Sequence, residues 1–154
     1  MNEKGIELIK QFEGFKAKPY LCPAGIPTIG YGTTIYPDGR NVTLKDQPIT
    51  ESQADIYLRY HVKFVNDKIL KLTNGKLNEN QLSALVSFAY NIGIEKLRKS
   101  TLFKRVLADK DGLSIREEFL KWKYAKDPKT GQMVVLPGLL RRRIAEANLY
   151  FSPL

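Results

Sequence analysis

The sequence predicts an α+β protein, mostly α, in which a long helix joins a small antiparallel β-lobe to a helical lobe. Apolar residues recur at helical spacing in residues 3–13, in residues 51–72 and through most of the second half of the chain. Residues 14–49 differ, because they are rich in glycine, proline and β-branched residues. Two lobes predict a cleft between them, and ligand sites favour such clefts.

The length of 154 residues predicts one domain over residues 1–154, with a helical lobe made of residues 73–154 and residues 3–13. The single cysteine excludes an internal disulfide. A tetrahedral zinc site would need Cys22, the single histidine His61 and carboxylates, which is an unusual ligand set. We therefore expect no structural metal and no cofactor.

The first helix is predicted to end at Glu13. Ile6, Ile9 and Phe12 lie at helical spacing, and Gly14 stands where a glycine commonly ends a helix. The stretch "PTIGYGTTIYPDGRNVTL", residues 27–44, then predicts short strands, with "PDGR" as the turn between two of them.

A long helix is predicted from residue 51 to about Leu72. Thr50 and Gln53 form a capping box at its start, since a hydroxyl and an amide three residues apart satisfy each other's backbone amides. An apolar stripe follows at Ala54, Leu58, Val62, Val65, Ile69 and Leu72.

The second half of the chain is predicted to be helical. Its landmarks in chain order are the capping pairs Asn78–Gln81 and Ser114–Glu117, a turn at "DPKTGQ" (127–132), a break at Pro137 and Gly138, and a last amphipathic helix over 139–149.

The net charge of +9, from 25 basic and 16 acidic residues, predicts a polyanionic partner such as nucleic acid or a bacterial cell wall. We expect no nucleic acid, because no helix-turn-helix, RNP or zinc-finger pattern accompanies the charge. No apolar run reaches the length of about 18 residues that spans a bilayer, so we expect no stable membrane association. Residues 1–15 lack the apolar core of a secretory signal, which predicts a cytoplasmic chain.

Glu13 is a candidate general acid. A carboxyl in the last turn of a helix faces the negative end of the helix dipole, and shielding by Phe12 or Phe15 would add desolvation; both favour the protonated acid. A carboxylic acid that keeps its proton near neutral pH is what protonation of a glycosidic oxygen requires.

Cys22 and Thr28 are candidate partners of Glu13. Cys22 lies in the turn "LCPAG", where it is either a small buried apolar residue or a group that projects into a site. With an ordinary pKa near 8.5, only about 3% of a free thiol is thiolate at pH 7, so it is a poorer fixed charge than an aspartate. The Thr28 hydroxyl either packs within the β-lobe or orients a water molecule.

Gly30 and Gly32 in "TIGYG" do not form a phosphate-binding loop, because no GxGxxG or GxxxxGK[ST] pattern occurs. They are predicted as positions where the backbone approaches another strand or a ligand closely.

Three stretches carry a family resemblance: "EGFKAKPYLCPAGIPTIGYGTT" from residue 13, "FAYNIGIEKLRKSTLFKRVL" from 88 and "FLKWKYAKDPKTGQMVVLPGLLRRRIAEANLY" from 119. In this order they resemble the phage-type lysozymes, family 24 of the glycoside hydrolases. Members show Glu-Gly, then an Asp or sometimes a Cys nine residues after the Glu, then Thr-Ile-Gly with the Thr six residues further. Glu13, Cys22 and Thr28 match these positions.

The resemblance implies a lysozyme-like fold and a muramidase that cuts the β-1,4 bond between N-acetylmuramic acid and N-acetylglucosamine in peptidoglycan, used as an endolysin at the end of phage infection. It implies Glu13 as the general acid, Cys22 in the position of the second catalytic group and Thr28 as the residue that positions water. Gly30, Tyr31 and Asn91 are candidate substrate contacts, although Asn91 with Gly93 in "YNIG" is also typical of a helix cap. The resemblance further implies one of Arg141, Arg142 and Arg143 beside Glu13; the alternative for these arginines is a solvated helix face.

Peptidoglycan is thus the expected partner of a monomer. The enzyme would wait in the host cytoplasm until a holin opens the membrane and gives it access to the periplasm and wall. The basic surface would then meet anionic wall polymers.

The thiol leaves the mechanism open. Cys22 is a deprotonated base or nucleophile, a holder of water, or a minor contributor beside Glu13 acting alone, as in lytic transglycosylases that expel an anhydro sugar. Two other classes compete: a wall peptidase that uses Cys22 with His61, and a wall-binding module without catalysis.

Overall fold

The computed structural model describes residues 1–154 and contains seven helices and four strands. In chain order they are α1 (Glu3–Glu13), β1 (Lys16–Leu21), β2 (Pro27–Gly30), α2 (Glu51–Leu72), α3 (Glu79–Ile92), α4 (Ile94–Lys99), α5 (Thr101–Ala108), α6 (Ile115–Leu120), β3 (Tyr124–Lys126), β4 (Met133–Val135) and α7 (Pro137–Tyr150). The predicted class, α+β and mostly α with small antiparallel sheets, is confirmed. None of the helices combines the length and the hydropathy that crossing a membrane requires.

The chain divides into two units. The small unit is Ile9–Phe64, and the large unit combines Met1–Leu8 with Val65–Leu154. The boundaries fall inside α1 and α2, whereas the predicted lobes begin and end at the ends of these helices. The arrangement of the whole chain as one domain stays a prediction.

The predicted ends of the first two helices are confirmed. Gly14 has a φ of +73°, and its amide donates to the Lys10 carbonyl at 2.9 Å, so the glycine ends α1 directly after Glu13. At the start of α2, the Thr50 amide donates to Oε1 of Gln53 at 2.9 Å, and the Gln53 amide donates to Oγ1 of Thr50 at 3.1 Å. Both bonds of the capping box are therefore present.

The sheet of the small unit is the antiparallel pair β1–β2, in which Tyr20 lies opposite Thr28 and Leu21 opposite Pro27. The predicted "PDGR" turn is present, since the Gly39 amide donates to the Tyr36 carbonyl at 2.9 Å. The prediction that strands flank this turn is wrong, because only a single bridge joins Ile35 to Asn41 there.

Positive φ angles explain where the extended backbone stops. Gly30 and Gly32 have φ values of +66° and +81°, which turn the chain directly after β2. Gly30 is also packed tightly: a Cβ added there would lie 3.1 Å from Cβ of Ala54 and 3.3 Å from Cδ1 of Ile49. The backbone is therefore closely approached at Gly30, but the neighbours are α2 and the segment before it rather than the predicted strand or ligand.

α3 is the central helix of the large unit, because it is buried on all sides from Asn80 to Ala89. It packs against α7, which packs in turn against α6. Its capping box is confirmed: the Gln81 amide donates to Oδ1 of Asn78 at 2.8 Å, and the Asn78 amide donates to Oε1 of Gln81 at 3.0 Å.

The predicted capping pair at Ser114 is wrong. Ser114 already has helical backbone angles, and its side chain makes no capping bond to α6. The Ser114 hydroxyl instead accepts a 3.5 Å bond from Nη1 of Arg105. The helical backbone of Ser114 is the reason, since an N-cap residue has non-helical angles.

The prediction that the second half of the chain is helical is also wrong at two places. The predicted turn at 127–132 is present, but it joins β3 to β4 in a hairpin that the sequence analysis missed. Pro137 and Gly138, predicted as a break, are the first two residues of α7. Proline suits the first turn of a helix, where its missing amide has no partner to lose.

We expect Gly30→Ala to lower the free energy of unfolding by about 2 kcal/mol, since it combines an unfavourable φ with a close contact to Ala54. Gly75→Ala is the matched control, because Gly75 has the same φ of +66° and no atom within 4 Å of the added Cβ. It should cost about 1 kcal/mol. Urea unfolding of both variants measures the difference, and equal losses would contradict the crowding argument.

Candidate active site

Glu13 is the last residue of α1 and is half-buried. The glycine that follows it ends the helix, so the carboxyl stands at the point where the chain passes from α1 to the strand pair. This is the position that the sequence predicts for the general acid.

The hairpin β1–β2 brings three polar side chains onto one face. Tyr20 and Thr28 are directly opposite in the ladder, and side chains in that relation lie on the same side of a sheet. Cys22 follows Tyr20 by two residues and continues the same side, since the side chains of a strand alternate. We call Tyr20, Cys22 and Thr28 the polar face of the hairpin.

The turn from residue 22 to residue 26 sets the chemistry of the thiol. The Cys22 amide donates to the Ile26 carbonyl at 3.0 Å, which closes the turn. The Ile26 amide donates in return to the sulfur and lowers the pKa of Cys22 below its ordinary value, and the Ala24 amide and the Thr28 side chain act in the same direction against partial desolvation. These hydrogen bonds therefore favour the thiolate of Cys22 over its thiol.

Thr28 is buried, and its hydroxyl donates to the Ile26 carbonyl at 2.8 Å. The hydrogen of the hydroxyl is used in this bond, whereas the lone pairs of its oxygen stay available to accept. The fixed hydroxyl can thus hold a hydrogen-bond donor, such as water, beside the Cys22 sulfur.

Tyr20 was not singled out in the sequence. Partial burial raises the pKa of its phenol, and the charge on Glu13 and then that on Cys22 raise it further. The phenol therefore lies within electrostatic range of both predicted catalytic groups. The sequence analysis predicted no strand at residues 16–21; with such a strand, the place of Tyr20 two residues before Cys22 would have been the signal.

Gly30 is the last residue of β2, and Tyr31 follows it with a buried side chain. The Tyr31 ring is buried, with the Lys10 ammonium 5.4 Å from its centre and the Phe15 ring at 5.7 Å. Its hydroxyl donates to Oε1 of Glu51 at 2.9 Å. Their role as substrate contacts stays a prediction.

The three consecutive arginines of α7 differ from one another. Arg141 is exposed, but Arg142 and Arg143 are buried, so a solvated helix face is the wrong description for these two. Both pair with Glu146, at 3.3 Å from Nε of Arg142 and at 3.1 Å from Nε of Arg143. Burial raises the pKa of Glu146, and the two guanidinium groups oppose that rise.

Asn91 accepts a hydrogen bond of 2.5 Å from Nη2 of Arg143. It is exposed in the last turn of α3, where Gly93 ends the helix with a φ of +104°. Contact of Asn91 with substrate, and the arginine beside Glu13, stay predictions.

His61 does not behave as the partner of a catalytic cysteine. Its Nε2 bonds to the Ile35 carbonyl, and its ring packs edge-on against Tyr60. The imidazole thus tethers the Ile35 segment to α2. No three Cys, His, Asp or Glu side chains come together as metal ligands.

The comparison with protein families matches the phage lysozyme model over residues 10–146. The chain belongs to the phage lysozyme family. As a member it is a glycoside hydrolase that lyses peptidoglycan.

Individual relatives agree with this lysozyme assignment. The endolysin of Acyrthosiphon pisum secondary endosymbiont phage 1 is 39% identical, with 99% of this chain and 98% of that protein covered. The endolysin of Salmonella phage P22 is 35% identical over the same shares. Among solved structures, the endolysin of Escherichia coli O157:H7 phage FAHEc1 superposes with a TM-score of 0.86 at 37% identity, covering 97% of this chain and 92% of that one.

The lysozyme should show a Cys22 thiol that titrates below an ordinary thiol. Iodoacetamide alkylation, followed by mass as a function of pH, reports one site because the chain has one cysteine. We expect the midpoint in the folded protein to lie below that of the same protein in urea, where a value near 8.5 applies. Thr28→Val should move the folded midpoint upwards, and a folded midpoint at or above the unfolded one would contradict the hydrogen-bonding account.

Proposed function

We propose that this lysozyme hydrolyses the β-1,4 bond between N-acetylmuramic acid and N-acetylglucosamine with Glu13 as general acid and with Cys22 and Thr28 holding the attacking water. The observation that carries the proposal is the polar face of the hairpin: Cys22 and Thr28 share it with Tyr20, and the charges on Glu13 and Cys22 both raise the pKa of the Tyr20 phenol. Family membership supplies the substrate class.

The reaction is a displacement at the anomeric carbon of the muramic acid residue. Glu13 transfers its proton to the glycosidic oxygen while the bond between that oxygen and the anomeric carbon breaks. Water adds its oxygen to the carbon and gives a proton to the Cys22 thiolate. Both residues then exchange protons with solvent, which returns Glu13 to the acid and Cys22 to the thiolate. A single displacement of this kind inverts the configuration of the anomeric carbon.

The hydrogen bonds at Cys22 explain how a thiol can stand at this position. A general base has to lose its proton near the working pH. The Ile26 amide, the largest of the contributions that lower the pKa of Cys22, is a backbone group fixed by the turn. The fold thus favours the thiolate before substrate arrives.

We propose also that the lysozyme acts as a monomer and reaches the wall from the host cytoplasm through a holin lesion. Relatives that match nearly the whole chain are named endolysins, and the net charge of +9 favours anionic wall polymers. Periplasmic protein in cells without any lesion would contradict this route, and wall binding should weaken as salt is raised.

Glu13→Gln should reduce turnover on purified peptidoglycan by about 10²–10⁴-fold, because an amide cannot donate the proton. Glu7→Gln is the matched control, since Glu7 is an exposed carboxylate on the same helix. Mass spectrometry of the fragments identifies the reaction. We expect reducing muramic ends; anhydro-muramic ends would replace hydrolysis by transglycosylation, and cleaved peptide stems would overturn the glycosidase assignment.

Cys22→Asp should keep activity and shift the acidic limb of the kcat/KM profile to lower pH. An aspartate ionises at a lower pH than the thiol, so the base form persists further into acid. Cys22→Ser is the control that keeps the size but cannot ionise, and it should lose most of the activity. An acidic limb that Cys22→Asp leaves in place would contradict the role of Cys22 as base.

A further inference from the structure

A thiolate holds a water molecule less well than a carboxylate does. A carboxylate offers two oxygens and about four lone-pair sites, whereas a thiolate offers one weakly accepting sulfur. Here the sulfur already receives hydrogen bonds from the Ile26 and Ala24 amides. Cys22 therefore fixes one direction of a bound water, and further polar groups are needed to fix the others.

The polar face of the hairpin supplies two such groups. The Thr28 hydroxyl has committed its hydrogen to the Ile26 carbonyl, so it meets a water molecule as an acceptor. Tyr20 lies directly across the ladder from Thr28 and on the same side as Cys22. Its phenol is the polar group of this face whose hydrogen is not committed to the turn.

We propose that Tyr20 is a positioning residue for the attacking water and donates a hydrogen bond to its oxygen. The inference rests on the proposed function, in which Cys22 and Thr28 hold that water. The water then has four directed neighbours: its hydrogens point to the Cys22 sulfur and to Oγ1 of Thr28, and one lone pair accepts from Tyr20. The remaining lone pair points to the anomeric carbon, so the phenol selects the direction of attack.

The electrostatics of the face keep Tyr20 in the state that this role needs. Partial burial, the charge on Glu13 and the charge on Cys22 all raise the pKa of the phenol. The raised pKa of the phenol and the lowered pKa of the thiol widen the pH range in which Cys22 is a thiolate while Tyr20 still donates a hydrogen. While Glu13 holds its proton as the general acid, the thiolate of Cys22 is the anion that favours a protonated, hydrogen-donating phenol.

The test is Tyr20→Phe, which keeps the ring and removes only the hydroxyl. On purified peptidoglycan we expect kcat to fall about tenfold with KM unchanged, the loss expected for one hydrogen bond made to the attacking water. Tyr60→Phe is the matched control, because Tyr60 exposes its phenol on α2 of the same unit. It should leave kcat and KM unchanged.

The product ratio separates positioning from packing. If Tyr20 orients the water, its loss lets the 6-hydroxyl of the muramic acid compete, so anhydro ends should rise relative to reducing ends in Tyr20→Phe. A packing defect would lower both products together and lower the urea midpoint of unfolding. An unchanged ratio with unchanged kcat would overturn the inference, as would a higher KM at constant kcat, which would make Tyr20 a sugar contact.

The same product analysis tests the proposed hydrolysis and the positioning role of Tyr20 separately. If the unmodified enzyme releases only anhydro ends, no water attacks and the proposed hydrolysis itself fails. If it releases reducing ends and Tyr20→Phe does the same at the same rate, the hydrolysis stands and the positioning role of Tyr20 is wrong.

Discussion

The peptide unit of Ile26 is the constraint on which the site depends. Its carbonyl accepts from the Cys22 amide at 3.0 Å and from the Thr28 hydroxyl at 2.8 Å, and its amide donates to the Cys22 sulfur. One backbone unit thus closes the turn, orients the hydroxyl and favours the thiolate. The Ile26 side chain is 49% exposed and has no part in this. What matters at residue 26 is an amide hydrogen, which any residue except proline supplies.

Local signals in the sequence were sufficient for the ends of α1 and α2 and for the burial of the stripe on α2. A glycine at position 14 and a capping box at Thr50 act over three or four residues, and no distant contact opposes them. The pattern at Ser114 failed because its backbone is already helical, whereas an N-cap residue has non-helical angles. The hairpin β3–β4 was missed because its strands have three residues each, too few to show a period.

The candidate site also has features that the sequence reveals and features that only the structure reveals. Glu13, Cys22 and Thr28 stand at spacings that the family shares, so the residues are visible in the chain. The strand register cannot be read from the sequence. The predicted strands lay around the "PDGR" turn, whereas the strands that pair are β1 and β2, which are joined by the turn between Cys22 and Ile26. Tyr20 joins the polar face only through that register. The candidate residues could therefore be selected from the sequence, whereas their arrangement on the hairpin could not.

The hairpin β3–β4 has exposed strand edges that can pair with another molecule. Both of its strands are edge strands, and Tyr124, Met133 and Val135 present apolar side chains to solvent. An exposed edge of this composition is a template for strand pairing between molecules. Lys126 lies within the hairpin and Lys129 in its turn, so two molecules that align their edges also bring like charges together. Repulsion between these lysines therefore disfavours edge-to-edge pairing of two molecules.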